Sequence, residues 1–133
     1  MKVLKVDHIG IAVNSIDEAL KFYREMLGLD FAGIDIVEDQ KVKVAFFRVG
    51  DTEIELLEST DHDGPIAKYI DKKGEGIQHI AFRVDDIEES IEELIGQGVS
   101  MIDKEPRYSA GGAKIAFCHP NSTNGILVEL SEK

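Results

Sequence analysis

Four residues in this 133-residue sequence pair metal-binding chemistry with a repeated spacing: His8, Glu55, His79 and Glu129. Each glutamate stands inside an apolar strand-like run, Ile54–Leu57 and Leu127–Leu130. A carboxylate in such a place is costly unless it is paired or ligates a cation. Two neutral imidazoles and two carboxylates make a borderline-to-hard donor set, suited to Mn²⁺, Co²⁺, Fe²⁺, Ni²⁺ or Zn²⁺. Four protein ligands leave two positions of an octahedral ion open, enough to chelate a substrate. The plain alternative is a pair of satisfied core histidines and two glutamates on exposed strand faces. It accounts for any one of these residues alone, but not for four that recur in register.

The register comes from an internal repeat. Residues 8–20 and 79–91 align without a gap at an offset of 71, and the closing strands around Glu55 and Glu129 align at an offset of 74. In each copy an alternating strand (Ile9, Ile11, Val13; Ile80, Phe82, Val84) leads into a helix start near Ser15 or Asp86. Acidic residues fill both first turns, as the helix dipole prefers. Apolar spacing then predicts buried helix faces at Ile16, Ala19, Leu20 and Tyr23, and at Ile87, Ile91 and Leu94. Strand–turn–strand patterns follow in both halves, with Gly50-Asp51 as the first turn. A polar stretch from Ser59 to Pro65 and a short helix over Ile66–Lys72 separate the copies. The expected architecture is α+β: one domain over 1–133, made of two tandem βαβββ modules, 1–73 and 74–133, whose sheets form a curved cleft. Period-two alternation sets His8, His79, Glu55 and Glu129 on the faces turned away from the helices.

Composition narrows the function classes. Hydrophobic residues at 43% and charged residues at 31% suit a globular chain. A formal net charge of −11 argues against nucleic-acid binding, which needs a basic surface. No apolar run approaches the roughly 20 residues that span a bilayer, and the opening residues show no signal-peptide pattern, so a soluble cytoplasmic protein is expected. Cys118 reads as a buried strand residue, Glu53 and Glu58 as solvated, His62 as an exposed loop residue and His119 as structural in a turn.

The repeat with His…Glu…His…Glu on its strands resembles the vicinal oxygen chelate superfamily, and within it most closely the methylmalonyl-CoA epimerases. The segments that carry the match are Asp7–Val13, Glu53–Glu58, Gly64–Phe82, Ala110–Pro120 and Gly125–Leu130. Gly64–Phe82 and Ala110–Pro120 are the specific ones. Two positions depart from the family pattern. Gln78 precedes the ligand His79 where many members have histidine, and Val44 stands where some carry an acid/base glutamate.

The resemblance implies an isomerase acting on an acyl-CoA, a homodimer, and a divalent ion held by His8, Glu55, His79 and Glu129, with cobalt first and manganese, nickel or zinc as alternatives. It implies Glu129 as an acid/base and leaves the second base unassigned. Lys114, Gly111 and Gly112 are candidate contacts to the acyl carboxylate or CoA phosphates, the plain alternative being a strand-edge lysine beside a glycine loop. Glyoxalase I (lactoylglutathione lyase) shares the two-His, two-Glu pattern and is the competing enzyme. A metal-free small-molecule binding protein is the non-catalytic alternative.

Overall fold

The computed structural model describes every residue except Ala110. The chain forms two compact units: Ile9–Gln78, and Met1–His8 together with His79–Lys133. The first strand, β1 (Val3–Ala12), runs through both. Its opening residues therefore fold with the second half of the chain, a division that differs from a simple cut at the linker.

In the unit Ile9–Gln78, β2 (Asp30–Val37), β3 (Val42–Val49) and β4 (Thr52–Ser59) follow one another in the order β2-β3-β4-β1. The β3–β4 hairpin keeps antiparallel register from Val42↔Ser59 to Val49↔Thr52. Its turn needs a left-handed residue, which Gly50 supplies at φ 58°. Alternation then sends side chains to two different helices. Ala45, Phe47, Leu56 and Ile54 pack with Val13 and with Ile16, Ala19, Leu20 and Tyr23 of the first helical segment. Val42, Val44 and Leu57 pack with Ala12 and with Ile66, Tyr69 and Ile70 of α2 (Pro65–Lys73). Val44, the position where a glutamate occurs in some related chains, is thus a buried apolar residue here.

The helix α1 (Ile16–Leu20) starts as its sequence dictates: the Ser15 side chain accepts from the Glu18 N–H at 3.2 Å, and Asp17 and Glu18 occupy the first turn. It then widens into a π-helical segment, Lys21–Met26, which no periodicity argument foretold. Tyr23 still reaches the core, its ring centroid 6.4 Å from that of Phe47.

In the other unit, β5 (Gly76–Val84), β8 (Leu127–Glu132), β7 (Lys114–Cys118) and the short β6 (Arg107–Tyr108) lie in the order β1-β5-β8-β7-β6. Here β5 and β8 are parallel, with His79↔Leu127 and Ala81↔Glu129 in register, whereas β7 and β8 are antiparallel. A parallel pair needs a crossover, and α3 (Ile87–Gly96) with β6 and β7 provides it. Asp86 caps α3 by accepting from the Glu89 N–H at 3.0 Å. Ile87, Ile91 and Leu94 pack on Val84, Ala116, Cys118 and Leu130, as their spacing predicts. Cys118 is buried, and that burial raises its thiol pKa above the ordinary value.

One further feature repeats. The Ile16 N–H, at the start of α1, donates to Glu58 Oε1 at 2.6 Å, and the Ile87 N–H, at the start of α3, donates to Glu132 Oε1 at 2.9 Å. Each carboxylate lies three residues beyond a strand glutamate of the repeat and satisfies a helix-start donor that has no partner within the helix. The expectation that Glu58 is merely solvated is corrected: it ties β4 to α1.

Replacing Glu58 by alanine removes a charge-assisted bond at a helix start and is expected to lower stability by roughly 1–3 kcal/mol, read from urea unfolding. Glu58→Gln keeps an acceptor and should recover part of the loss. Cys118 should react with a thiol reagent far more slowly in the native protein than in urea. Equal rates in the two conditions would contradict its burial.

Candidate metal centre

Three strands of one unit bring three donor groups to a point. His8 comes from β1, His79 from β5 and Glu129 from β8. The two imidazole Nε2 atoms stand 3.1 Å apart, and Glu129 Oε1 lies 3.7 Å from that of His8 and 3.8 Å from that of His79. A point equidistant from these three atoms is about 2.1 Å from each, the bond length of a first-row divalent ion to imidazole nitrogen or carboxylate oxygen. The donor set therefore fits such an ion in chemistry and in size.

Burial prepares the ligands. His79 is 8% exposed and Glu129 5%. Desolvation is the largest influence on His79 and lowers its pKa to about 4, against an opposing pull from the Glu129 carboxylate and with a smaller push from His8. At neutral pH His79 is thus an uncharged imidazole, the form that ligates. Phe117, paired with Glu129 across β7 and β8, turns its ring edge toward His79 with centroids 6.5 Å apart, giving the site an apolar wall.

Behind His8 stands Asp7, a residue the sequence reading did not single out as functional. It is 4% exposed and fully engaged. Its Oδ2 lies 2.8 Å from His8 Nδ1 and 3.3 Å from Lys133 Nζ, and its Oδ1 accepts from Arg83 Nε at 3.0 Å and Nη2 at 2.7 Å. The His8 bond is the main reason its carboxyl is held well below the usual carboxylate range, with Arg83 and Lys133 adding to it and desolvation opposing. The visible signal was an aspartate directly before a candidate ligand, together with an arginine on a strand face otherwise lined by small residues.

The other candidates fall as follows. Glu55 is half-buried on β4, opposite Phe46 of β3, in the unit Ile9–Gln78. Lys114 lies on the face of β7 opposite to Phe117 and Glu129, with its ammonium 3.0 Å from Glu88 Oε1 of α3 and 3.9 Å from Glu132 Oε2. That face is not the one that carries the histidine–glutamate cluster. Gly111 and Gly112 form an exposed turn, in which the Gly112 N–H donates to the Ser109 carbonyl at 2.9 Å. Their neighbour Ala110, part of the same candidate loop, lies outside the described residues. His62 is exposed, with Asp61 3.1 Å away, and His119 Nδ1 accepts from the Asn121 N–H at 3.0 Å in a turn. Both are loop residues, as their contexts predict.

Comparison with known proteins agrees with this geometry. Residues 7–117 match the family model described as Glyoxalase/Bleomycin resistance protein/Dioxygenase superfamily. A protein of Bacillus halodurans C-125 of known structure superimposes with a TM-score of 0.93 at 50% identity, covering 97% of this chain and 94% of that one. The mitochondrial methylmalonyl-CoA epimerase of Dictyostelium discoideum is 35% identical over 97% of this chain and 78% of its own length. A methylmalonyl-CoA epimerase solved in complex with methylmalonyl-CoA and NH4⁺ superimposes with a TM-score of 0.90 at 33% identity, covering 99% and 96% of the two chains. The chain belongs to the glyoxalase (vicinal oxygen chelate) superfamily, in its methylmalonyl-CoA epimerase branch.

Proposed function

We propose that this protein interconverts the (R) and (S) forms of methylmalonyl-CoA by removing and returning the proton between the thioester and the carboxylate. The observation that carries the reading is the convergence of His8, His79 and Glu129 on one point of ion-binding size. It stands alongside full-length similarity to epimerases, one of them solved with methylmalonyl-CoA bound.

In this reading His8, Glu55, His79 and Glu129 hold one divalent ion, with cobalt our first choice and manganese, nickel or zinc as alternatives. Such an ion supplies Lewis acidity that lowers the cost of enolate charge during proton removal. The protein's own groups do the rest. His79, kept uncharged by burial, retains one ring nitrogen with a lone pair that an ion could take up. Glu129, 5% exposed between two imidazoles and facing Phe117, is our acid/base for one face of the substrate carbon. Val44 offers no carboxylate for the other face, so the second proton transfer rests on a different group. The apolar Phe117 wall limits water near the exchanging proton. We further read the enzyme as a cytoplasmic homodimer, on the strength of the family resemblance.

The deciding assay is exchange of the α-proton of methylmalonyl-CoA with solvent deuterium, with and without added Co²⁺ or Mn²⁺. Metal-dependent exchange is expected. Its absence, together with turnover of a glutathione hemithioacetal, would replace the epimerase reading with glyoxalase I. Glu129→Gln should slow exchange by at least 10²-fold, in line with loss of a general base. His79→Ala should lose tight metal binding, and full metal occupancy in that variant would remove His79 from the ligand set.

A further inference from the structure

The two histidines of the centre are not held alike. In the repeat, Asp7 precedes His8 where the neutral Gln78 precedes His79. The Asp7 carboxylate has its two oxygens divided between tasks. Arg83 grips Oδ1 through Nε and Nη2, at 3.0 and 2.7 Å, which leaves Oδ2 aimed at His8 Nδ1, 2.8 Å away. Lys133 lies 3.3 Å from the same Oδ2. With its side chain 3% exposed, Asp7 has little water to compete for these bonds. A carboxylate this constrained is an acceptor only, so the ring nitrogen facing it must carry the hydrogen. In the neutral ring that hydrogen leaves Nε2, the atom turned toward His79 and Glu129, as the lone-pair nitrogen, able to accept from His79 Nε2 at 3.1 Å in the metal-free protein.

We propose that Asp7 is a positioning residue that fixes His8 in its Nδ1–H tautomer and aims Nε2 into the centre, with Arg83 as the clamp that keeps Asp7 in place. The assignment rests on the metal-centre reading only for its consequence, which is ion affinity. The tautomer itself is a property of the protein without metal. Hydrogen bonding to a carboxylate also raises the basicity of the opposite nitrogen, so Asp7 strengthens His8 Nε2 as a donor to an ion.

Long-range ¹H–¹⁵N correlation spectra of the metal-free protein at neutral pH report the tautomer of His8, assigned by its loss in His8→Gln. The Nδ1–H form is expected to dominate, and a dominant Nε2–H form would overturn the proposal without any Asp7 variant having to fold. Competition with a chelator then compares Co²⁺ affinity in the native protein and in Asp7→Asn, with a 10- to 100-fold loss expected. Asp7→Asn combined with Arg83→Gln serves where the unpaired guanidinium unfolds the single variant. Co²⁺ affinity within twofold of the native protein in a folded variant would show that Asp7 does not act through His8. A native protein that binds no Co²⁺ but shows the Nδ1–H form would sink the metal reading and leave the positioning role standing.

Discussion

A carboxylate buried in the middle of an apolar strand sets the terms for the rest of this structure. Glu129 sits on β8 between Val128 and Leu130, nearly free of solvent, and an ionised group there needs compensation from its surroundings. Two imidazole Nε2 atoms stand 3.7 and 3.8 Å from its Oε1, completing a donor set that would take a cation there. β5 and β8 run parallel with Ala81 opposite Glu129, which sets His79 near that carboxylate, and α3 packs on Val84 and Leu130 of these strands. His8 then needs its own support, which Asp7 and Arg83 supply. The apolar wall at Phe117 keeps water from weakening these interactions.

The repeat made much of this legible. His8 and His79 stand in matching strands and Glu129 in a third, so the three donors that meet in one unit could be picked out from the repeat and from period-two alternation. Glu55, by contrast, lies in the other unit, and Leu57, on its face of β4, packs on α2. Helix starts at Ser15 and Asp86 were readable because capping is local chemistry. The buried faces of both helices were readable because a 3.6-residue period leaves a visible stripe. In each case a residue's role depended on neighbours a few positions away.

What escaped the sequence depends on partners far along the chain. Glu58 reads as one more surface acid until β4 is seen to bring it 2.6 Å from the Ile16 N–H, 42 residues back in the chain. Asp7 shows nothing but its place directly before His8 until Arg83, 76 residues away, reaches it. The sequence made Lys114 a candidate for phosphate recognition, but two acids on its own side of the strand, Glu88 and Glu132, claim its charge. The π-helical widening at Lys21–Met26 has no compositional signature, because the residues that form it would serve equally well in an ordinary helix. Acidic residues are abundant in this chain, and composition does not separate the few that are fastened from the many that are free.

The division of β1 between the two units has a consequence for how the molecule comes into being. Val3–His8 leave the ribosome before Ile9–Gln78, yet the residues they fold with begin at His79. All of Ile9–Gln78 lies between these two parts of the unit, so Val3–His8 are made well before their partners. His8 meets Glu129 only once β8 has been made. The three-residue cluster is therefore completed only when the last of its three strands has been made.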